Sequence, residues 1–409
     1  MKILFICEEY PPGKNGGIGT MVRTLGREMV RQGHSVYVLG LYPHGYGEAD
    51  YEEDEGVKVW RMRYLTDFGI IGNSLSVTDQ RLMQLLKLSL ILQADTLLSV
   101  NRLFRRVRRL IREEGIDIIE IPDWNTFFQN SFLKIKIPRF TVPLLVKFNG
   151  SHSYFKQELN LPVKKYVYAS EYDLMHRAEA LASVSRYTAS KTAALFHITR
   201  PIEILYNTID LPQFSHPVAV NPRKIIFTGS LIYKKGINSL LEAWNSVAAR
   251  HPDALLEVYG KGDVKKLQAL LNPAAAGTVN FRGHVTREVL FGELATATAA
   301  VFPSYSECFA FAPLEAMAAG CAVINTSRSS GMELITDREN GLLVDPDDRE
   351  QIANAINLLL EDHTLRNSIA AAGKKTVEAN FTIQRSVPEH IAFYEQMISD
   401  SHTPNPKKT

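Results

Sequence analysis

Short apolar runs alternate with helical patterns along nearly all of this chain, and that alternation confines it to one fold class. In the first half the predicted strands are Ile3–Ile6, Ser35–Gly40, Lys58–Met62, Ile116–Ile119, Leu144–Phe148, Ala182–Val184 and Ile202–Leu205. Helical patterns such as Thr20–Gln32 and Asn101–Glu114 lie between them. The second half repeats the habit with Lys224–Phe227, Ala254–Tyr259, Thr278–Phe281, Ala299–Phe302 and Ala322–Ile324, separated by helices such as Ile237–Arg250 and Arg287–Ala297. A strand, a helix and a second strand make the βαβ unit of a parallel sheet. The sequence therefore predicts an α/β protein with one such sheet in each half. Asn207 to Pro222 holds three prolines and several turn formers, and reads as the linker.

Composition narrows the functional classes. A length of 409 residues fits two or three domains. The 45% hydrophobic and 22% charged content is ordinary for a globular protein. A formal net charge of +2 gives no global attraction for nucleic acid. Cys7, Cys308 and Cys321 form neither a zinc spacing nor a disulfide framework. Cys7 and Cys321 lie in or beside apolar runs and read as buried thiols. The first apolar run is too short for a signal-peptide core. Leu82 to Val100 is the most apolar long stretch, but Lys87, Gln93 and Asp95 make it a poor membrane span. A cytoplasmic location is expected.

The segment richest in chemistry is Ser304 to Glu315, S-Y-S-E-C-F-A-F-A-P-L-E. Glu307 follows a buried-strand pattern. Glu315 sits just inside a helix that Pro313 is predicted to open and that runs to Gly320. A strand end, a loop and a helix start thus converge, as they do where open α/β sheets bind ligands. Amides at a helix start favour a phosphate. A carboxylate beside them suits a vicinal diol such as a ribose. Taken alone, the two acids read equally as a solvated loop acid and a first-turn helix residue.

The spacing resembles the E-x7-E motif of retaining glycosyltransferases with the GT-B fold, most closely glycosyltransferase family 4. Val279-Asn-Phe-Arg-Gly-His-Val285 upstream, and Ala319-Gly-Cys-Ala-Val-Ile324 and Glu339-Asn-Gly-Leu-Leu-Val344 downstream, are similar to that family's landmarks in order and spacing. The resemblance implies two Rossmann-like, doubly wound domains facing a cleft. Residues 1–212 would be the acceptor side and 213–381 the donor side. A helix at 382–399 would cross back, followed by a disordered tail at 400–409.

The resemblance also implies roles. Glu307 would face the sugar, and amides near Phe309 and Ala310 its hydroxyls, with Phe311 and Leu314 in the same donor site. Glu315 would hold the ribose, and the backbone around Val285 would read the base. Phe227-Thr-Gly-Ser-Leu-Ile-Tyr-Lys-Lys-Gly236 resembles the loop that supplies an arginine and a lysine to the diphosphate. Lys235 matches the lysine. Ser230 stands at the arginine position, and Lys234 is a neighbour able to compensate. Cys308 and Ala310 occupy positions commonly glycine in the family. With that clamp no metal or other cofactor is expected. Asp345-Pro-Asp347 matches a metal-binding D-x-D only superficially and reads as a cap for the helix from Arg349.

In the first half, Gly16 and Gly17 follow the first strand and let amides approach an anion; a plain turn is the alternative. The family uses a similar glycine pair for donor phosphate or acceptor. Asn149-Gly150 stands where relatives carry His-Gly, so either Asn149 or the nearby His152 would contact the transferred sugar. His152 reads equally as a surface loop histidine. Asp123 and Trp124 follow another strand and suit an acceptor sugar, with a half-buried tryptophan in a turn as the alternative. The run 101–112 carries six arginines at helical spacing. It reads as the solvated face of a partly buried helix, or as a surface for peripheral contact at the inner face of a membrane.

The implied function is metal-independent, retaining transfer of a hexose from a nucleotide sugar, with UDP-glucose or a related UDP-hexose as the leading choice. The acceptor would be a hydroxyl on a sugar or lipid-linked sugar, in polysaccharide or glycoconjugate synthesis. An epimerase or phosphorylase of the same fold and a non-catalytic nucleotide-sugar binding module are the alternatives. A Rossmann oxidoreductase is disfavoured because the chain has no G-x-G-x-x-G.

Overall fold

A computed structural model describes residues 1–12, 16–47, 49–65, 90–212 and 219–402. Gly13, Lys14 and Asn15 of the first glycine loop lie outside the described residues, as do residues 82–89 of the apolar stretch, part of the linker and 403–409. The chain forms two compact units: Met1–Leu205 with the residues from Ser386 onward, and Tyr206–Arg385.

The first unit contains an eight-stranded sheet, ordered β3-β4-β2-β1-β5-β6-β7-β8. Its strands are β1 (Lys2–Ile6), β2 (Ser35–Tyr42), β3 (Tyr51–Asp54), β4 (Val57–Arg63), β5 (Ile118–Pro122), β6 (Leu144–Phe148), β7 (Ala180–Ser183) and β8 (Glu203–Ile204). Among these strands only β3 pairs antiparallel, against β4. Its sequence, Tyr-Glu-Glu-Asp, lacks an apolar run, so periodicity did not signal it. Charged side chains suit an edge strand, where they discourage further pairing.

The first unit's helices are α1 (Gly17–Arg31), α2 (Leu90–Glu114), α3 (Thr126–Gln129), α4 (His152–Glu158), α5 (Lys165–Arg177) and α6 (Arg186–Phe196). Helix α1 starts three residues before the predicted Thr20, because Glu9 accepts hydrogen bonds from the amides of Gly16 and Gly19. A Cβ on Gly19 would collide with the Glu9 carbonyl, so only glycine lets the helix pack against the strand exit. In α2, Val100, Leu103, Phe104, Val107 and Leu110 are buried. Arg102, Arg105, Arg108, Arg109 and Arg112 are exposed. The apolar face is thus committed to the unit's own core.

The second unit holds a wholly parallel six-stranded sheet, β11-β10-β9-β12-β13-β14. Its strands are β9 (Asn221–Thr228), β10 (Leu255–Tyr259), β11 (Val279–Gly283), β12 (Ala297–Phe302), β13 (Ala322–Thr326) and β14 (Leu342–Val344). Its helices are α7 (Ile237–Arg250), α8 (Val264–Gln268), α9 (Pro273–Ala276), α10 (Arg287–Ala295), α11 (Phe311–Ala318), α12 (Gly331–Leu334), α13 (Arg349–Glu361) and α14 (His363–Asn380). Trp244 of α7 is fully buried in a core with Ile225, Leu256, Val301 and Ile356. Its indole N–H donates to Thr278 Oγ1 at 2.9 Å, which satisfies the one polar atom that burial would orphan.

Helix α15 (Ile383–His402) ends the described chain. Asp400, Ser401 and His402, expected in the tail, are its last turn. From Ser386 it joins the first unit over a buried polar quartet. Tyr394 donates to Glu120 at 2.5 Å, and Lys147 Nζ lies 2.9 Å from His390 Nε2. Burial raises the Glu120 carboxyl and lowers the Lys147 ammonium, while their mutual attraction opposes both shifts.

Candidate functional site

In the second unit the chain winds outward from β9 through β10 to β11, then returns to β12 and winds the other way. The reversal lies between β9 and β12. Crevices at the carboxyl ends of such strands bind ligands in open α/β sheets. The loop after β9 carries Ser230, Lys234 and Lys235, and the loop after β12 carries Glu307. Lys235 Nζ lies 2.5 Å from Glu307 Oε1, so one ion pair bridges the reversal. The approach depends on Gly236, whose φ is +70°. A Cβ there would collide with the Pro303 carbonyl.

Burial alone would raise the Glu307 carboxyl. The charges of Lys235 and Lys234 reverse that and hold it below the usual carboxylate range. Lys234 is lowered by burial, with Glu307 opposing. Ser230, at the expected arginine position, is exposed. The Glu307 backbone is anchored by Ser329, whose Oγ accepts its N–H at 3.1 Å. Phe309 is buried, and its carbonyl accepts from Asn207 Nδ2 at 2.9 Å.

Ala310 is the residue before α11, which starts at Phe311, two residues earlier than Pro313. Pro313 is tolerated there because first-turn amides lack helical partners. A cavity beside this helix start is lined by Glu307, Phe309, Ala310, Pro313, Asn325, Thr326, Ser330, Gly331 and Leu334. Leu314, on the same helix, is fully buried. Glu315, one turn into α11, accepts from Arg287 Nε at 3.1 Å. Val285 is half-buried in the loop between β11 and α10, two residues from Arg287. Asp345 and Asp347 both grip Arg328, and the cap of α13 is Asp348.

The first unit assembles a second set at its strand ends. Gly16 and Gly17 open α1, with the Glu9 carboxylate against Gly16. Asp123 is wholly buried. Its Oδ1 accepts the Asn149 amide at 2.7 Å, and burial raises the carboxyl to about 8. Asn149 is half-buried at the end of β6, with Nδ2 donating to the Lys147 carbonyl at 3.1 Å. His152 is no surface loop residue. It opens α4, lies against Trp124 with ring centres 3.7 Å apart and planes tilted by 37°, and bonds to Gln129 and the Asn125 carbonyl. Burial lowers its pKa to about 4.

Four residues of these sites carried no sequence signal strong enough to single them out. Glu9 folds back onto the helix that follows it, and Glu171 accepts the amides of His152 and Ser153. Ser329 anchors Glu307, and Arg287 pairs with Glu315. Ser329-Ser330-Gly331 does read as a turn after a strand, which was the one available hint. Among the described residues no cluster of His, Cys, Asp and Glu could hold a metal ion, and no helix is long and apolar enough to cross a membrane.

Comparison with known proteins follows the same two-unit division. The glycosyl transferases group 1 family matches residues 210–376, and Glycosyltransferase Family 4 matches residues 15–213. An uncharacterised glycosyltransferase of Methanocaldococcus jannaschii is 27% identical over 412 residues, covering 97% of this chain and 98% of that protein. Sucrose-phosphate synthase from Thermosynechococcus elongatus superimposes with a TM-score of 0.76 at 18% identity, covering 98% and 99% of the two chains. HepE of Anabaena in complex with UDP-glucose superimposes with a TM-score of 0.66 at 17% identity, covering 97% and 100%. The architecture is that of GT-B glycosyltransferases. With adjoining family matches running from residue 15 to residue 376, the chain belongs to the glycosyltransferases, a family 4 region followed by a group 1 region.

Proposed function

We propose that this glycosyltransferase moves a hexose from a UDP-hexose, with UDP-glucose the leading donor, to a hydroxyl acceptor with retention of configuration and without a metal. The observation that carries the reading is the Lys235–Glu307 pair at the sheet reversal, beside the start of α11. The UDP-glucose complex of HepE supports the choice of donor. Lys235 is placed to meet the negative charge that grows on the leaving diphosphate, where fixed cations lower the barrier most. Amides at the α11 start suit phosphate oxygens, and Glu315 suits the ribose diol. The base is assigned to the backbone around Val285.

The reaction is same-face displacement. The bond from the anomeric carbon to the diphosphate breaks as the acceptor oxygen bonds to that carbon on the same face. The acceptor proton passes to the departing phosphate oxygen. The sugar-hydroxyl role is assigned to Asn149, because His152 is buried against Trp124. Asp123 acts behind Asn149 by fixing its amide rather than by touching the acceptor. Membrane contact through 101–112 would rest on exposed arginines alone, since the apolar face of α2 is buried. A cytoplasmic role in polysaccharide or glycoconjugate synthesis is consistent with these assignments.

The test is turnover of UDP-, ADP- and GDP-hexoses with and without sugar acceptors in the presence of EDTA, with product stereochemistry read by NMR. Retention with undiminished turnover in EDTA is expected. An inverted product or an absolute metal requirement would overturn the mechanism. Conversion of the donor without acceptor would mark an epimerase, and binding with neither transfer nor hydrolysis a binding module.

A further inference from the structure

Arg287 has no part in the roles assigned above, yet it makes the one ion pair that Glu315 has among the described residues. It opens α10, directly after the capping Thr286. Its guanidinium lies 5.0 Å from the ring centre of Phe291, one turn along the same helix, and its Nε reaches Glu315 Oε1 at 3.1 Å. The side chain is thus held on two sides, by a ring face and by a carboxylate, although it is one-third exposed.

Charge makes this pairing consequential. Burial raises the Glu315 carboxyl above its ordinary value, and the charge and hydrogen bond of Arg287 oppose that rise without cancelling it. Among the described residues no other element packed on α11 supplies such a cation at that turn. Lys374 of α14 lies against Gly320, at the far end of α11, where it faces Glu378. Glu288, next to Arg287, bonds to Thr286 at its own helix start. A ribose presents two adjacent O–H donors, and a carboxylate of fixed orientation can accept both.

We propose that Arg287 is the positioning residue for the donor nucleotide, fixing Glu315 in the orientation in which it accepts the ribose hydroxyls. This rests on the donor-site reading above. It also gives the donor end of the site a cation distinct from the diphosphate clamp, where Ser230 replaces the expected arginine.

The experiment is isothermal titration of UDP, GDP and ADP into the full chain and into Arg287→Ala, Arg287→Lys, Glu315→Gln and the double variant Arg287→Ala/Glu315→Gln, at pH 6 and pH 8. Arg287→Ala is expected to weaken the preferred nucleotide by about tenfold to a hundredfold, the size of one charge-assisted hydrogen bond. The loss should be larger at pH 6, because Glu315 without its cation protonates more readily. Arg287→Lys should recover part of it, and in the Glu315→Gln background the alanine change should cost nothing more. Unchanged affinity in Arg287→Ala, or an equal loss when the alanine change is made in the Glu315→Gln background, would overturn this inference alone. Absence of nucleotide binding by the unaltered protein would overturn the donor reading together with it.

Discussion

Both units cluster buried and half-buried acids near the carboxyl ends of their sheets, and they treat those acids differently. In the second unit Glu307 faces Lys235 and Glu315 faces Arg287, so each carboxylate meets a side-chain cation. In the first unit Glu8 is held by Thr126, Glu9 by the amides of Gly16 and Gly19, Asp123 by that of Asn149, and Glu171 by those of His152 and Ser153. All of those partners are neutral. Burial accordingly lifts Asp123 to about 8 and Glu8 and Glu171 to about 7; in the second unit the two lysines pull Glu307 down, while Glu315 stays raised by burial against the pull of Arg287. These acids are therefore set against side-chain cations in the second unit and against neutral donors in the first. A diphosphate suits the cationic set and a hydroxylated acceptor the neutral one.

The largest effect that would break this contrast is expected at Lys235. Lys235→Ala should lower kcat about 100- to 1000-fold, as loss of one group stabilising transition-state charge does, with the circular dichroism spectrum retained. Wild-type turnover in a folded variant would mean that the cation is ornamental. In the first unit the acid should matter for stability instead. Glu171→Ala orphans two buried amides, at about 1–3 kcal/mol each. A fall of about 4–24 °C in melting temperature is expected, by calorimetry, at about 2–4 °C per kcal/mol.

The smallest effect is a pH slope. Asp123 is raised from 3.8 to about 8, so its contribution to stability is full at low pH and is lost as pH rises toward 8. Asp123→Asn removes that titration. It should match the wild type near pH 4 and exceed it near pH 8, by about 1 kcal/mol or more. His152 has the opposite sign: lowered from 6.5 to about 4, it gives up stability as pH falls through that window. Parallel melting curves for Asp123→Asn and wild type from pH 4 to 8 would remove the buried-acid side of the comparison.

The fold was legible where the hydrophobic pattern has a clear strand or helix period. Leu144–Phe148 and Ile237–Arg250 were placed to the residue. Polar β3 was not, since it carries little hydrophobic signal, and apolar β14 was not, since three residues are too few to show a period. The chemistry divided along the same line. Glu307, Glu315 and Lys235 were singled out through their resemblance to family motifs. Arg287 and Glu171 act across 28 and 19 residues of chain, through contacts that exist only once helices pack. The rotation of His152 into the Trp124 ring was equally hidden, because nothing local distinguishes a loop histidine from a helix-opening one.

The quartet beneath α15 sets a timetable for biosynthesis. Glu120 and Lys147 emerge early, but Tyr394 and His390 emerge only after all of Tyr206–Arg385 has been made. At ordinary translation speeds that interval is on the order of ten seconds. Throughout it the nascent first unit carries an acid and a base whose eventual covering helix does not yet exist. The amino-terminal half can collapse on the ribosome, but it closes only after the carboxyl-terminal half has been threaded out, so the unit translated first is the last to be sealed.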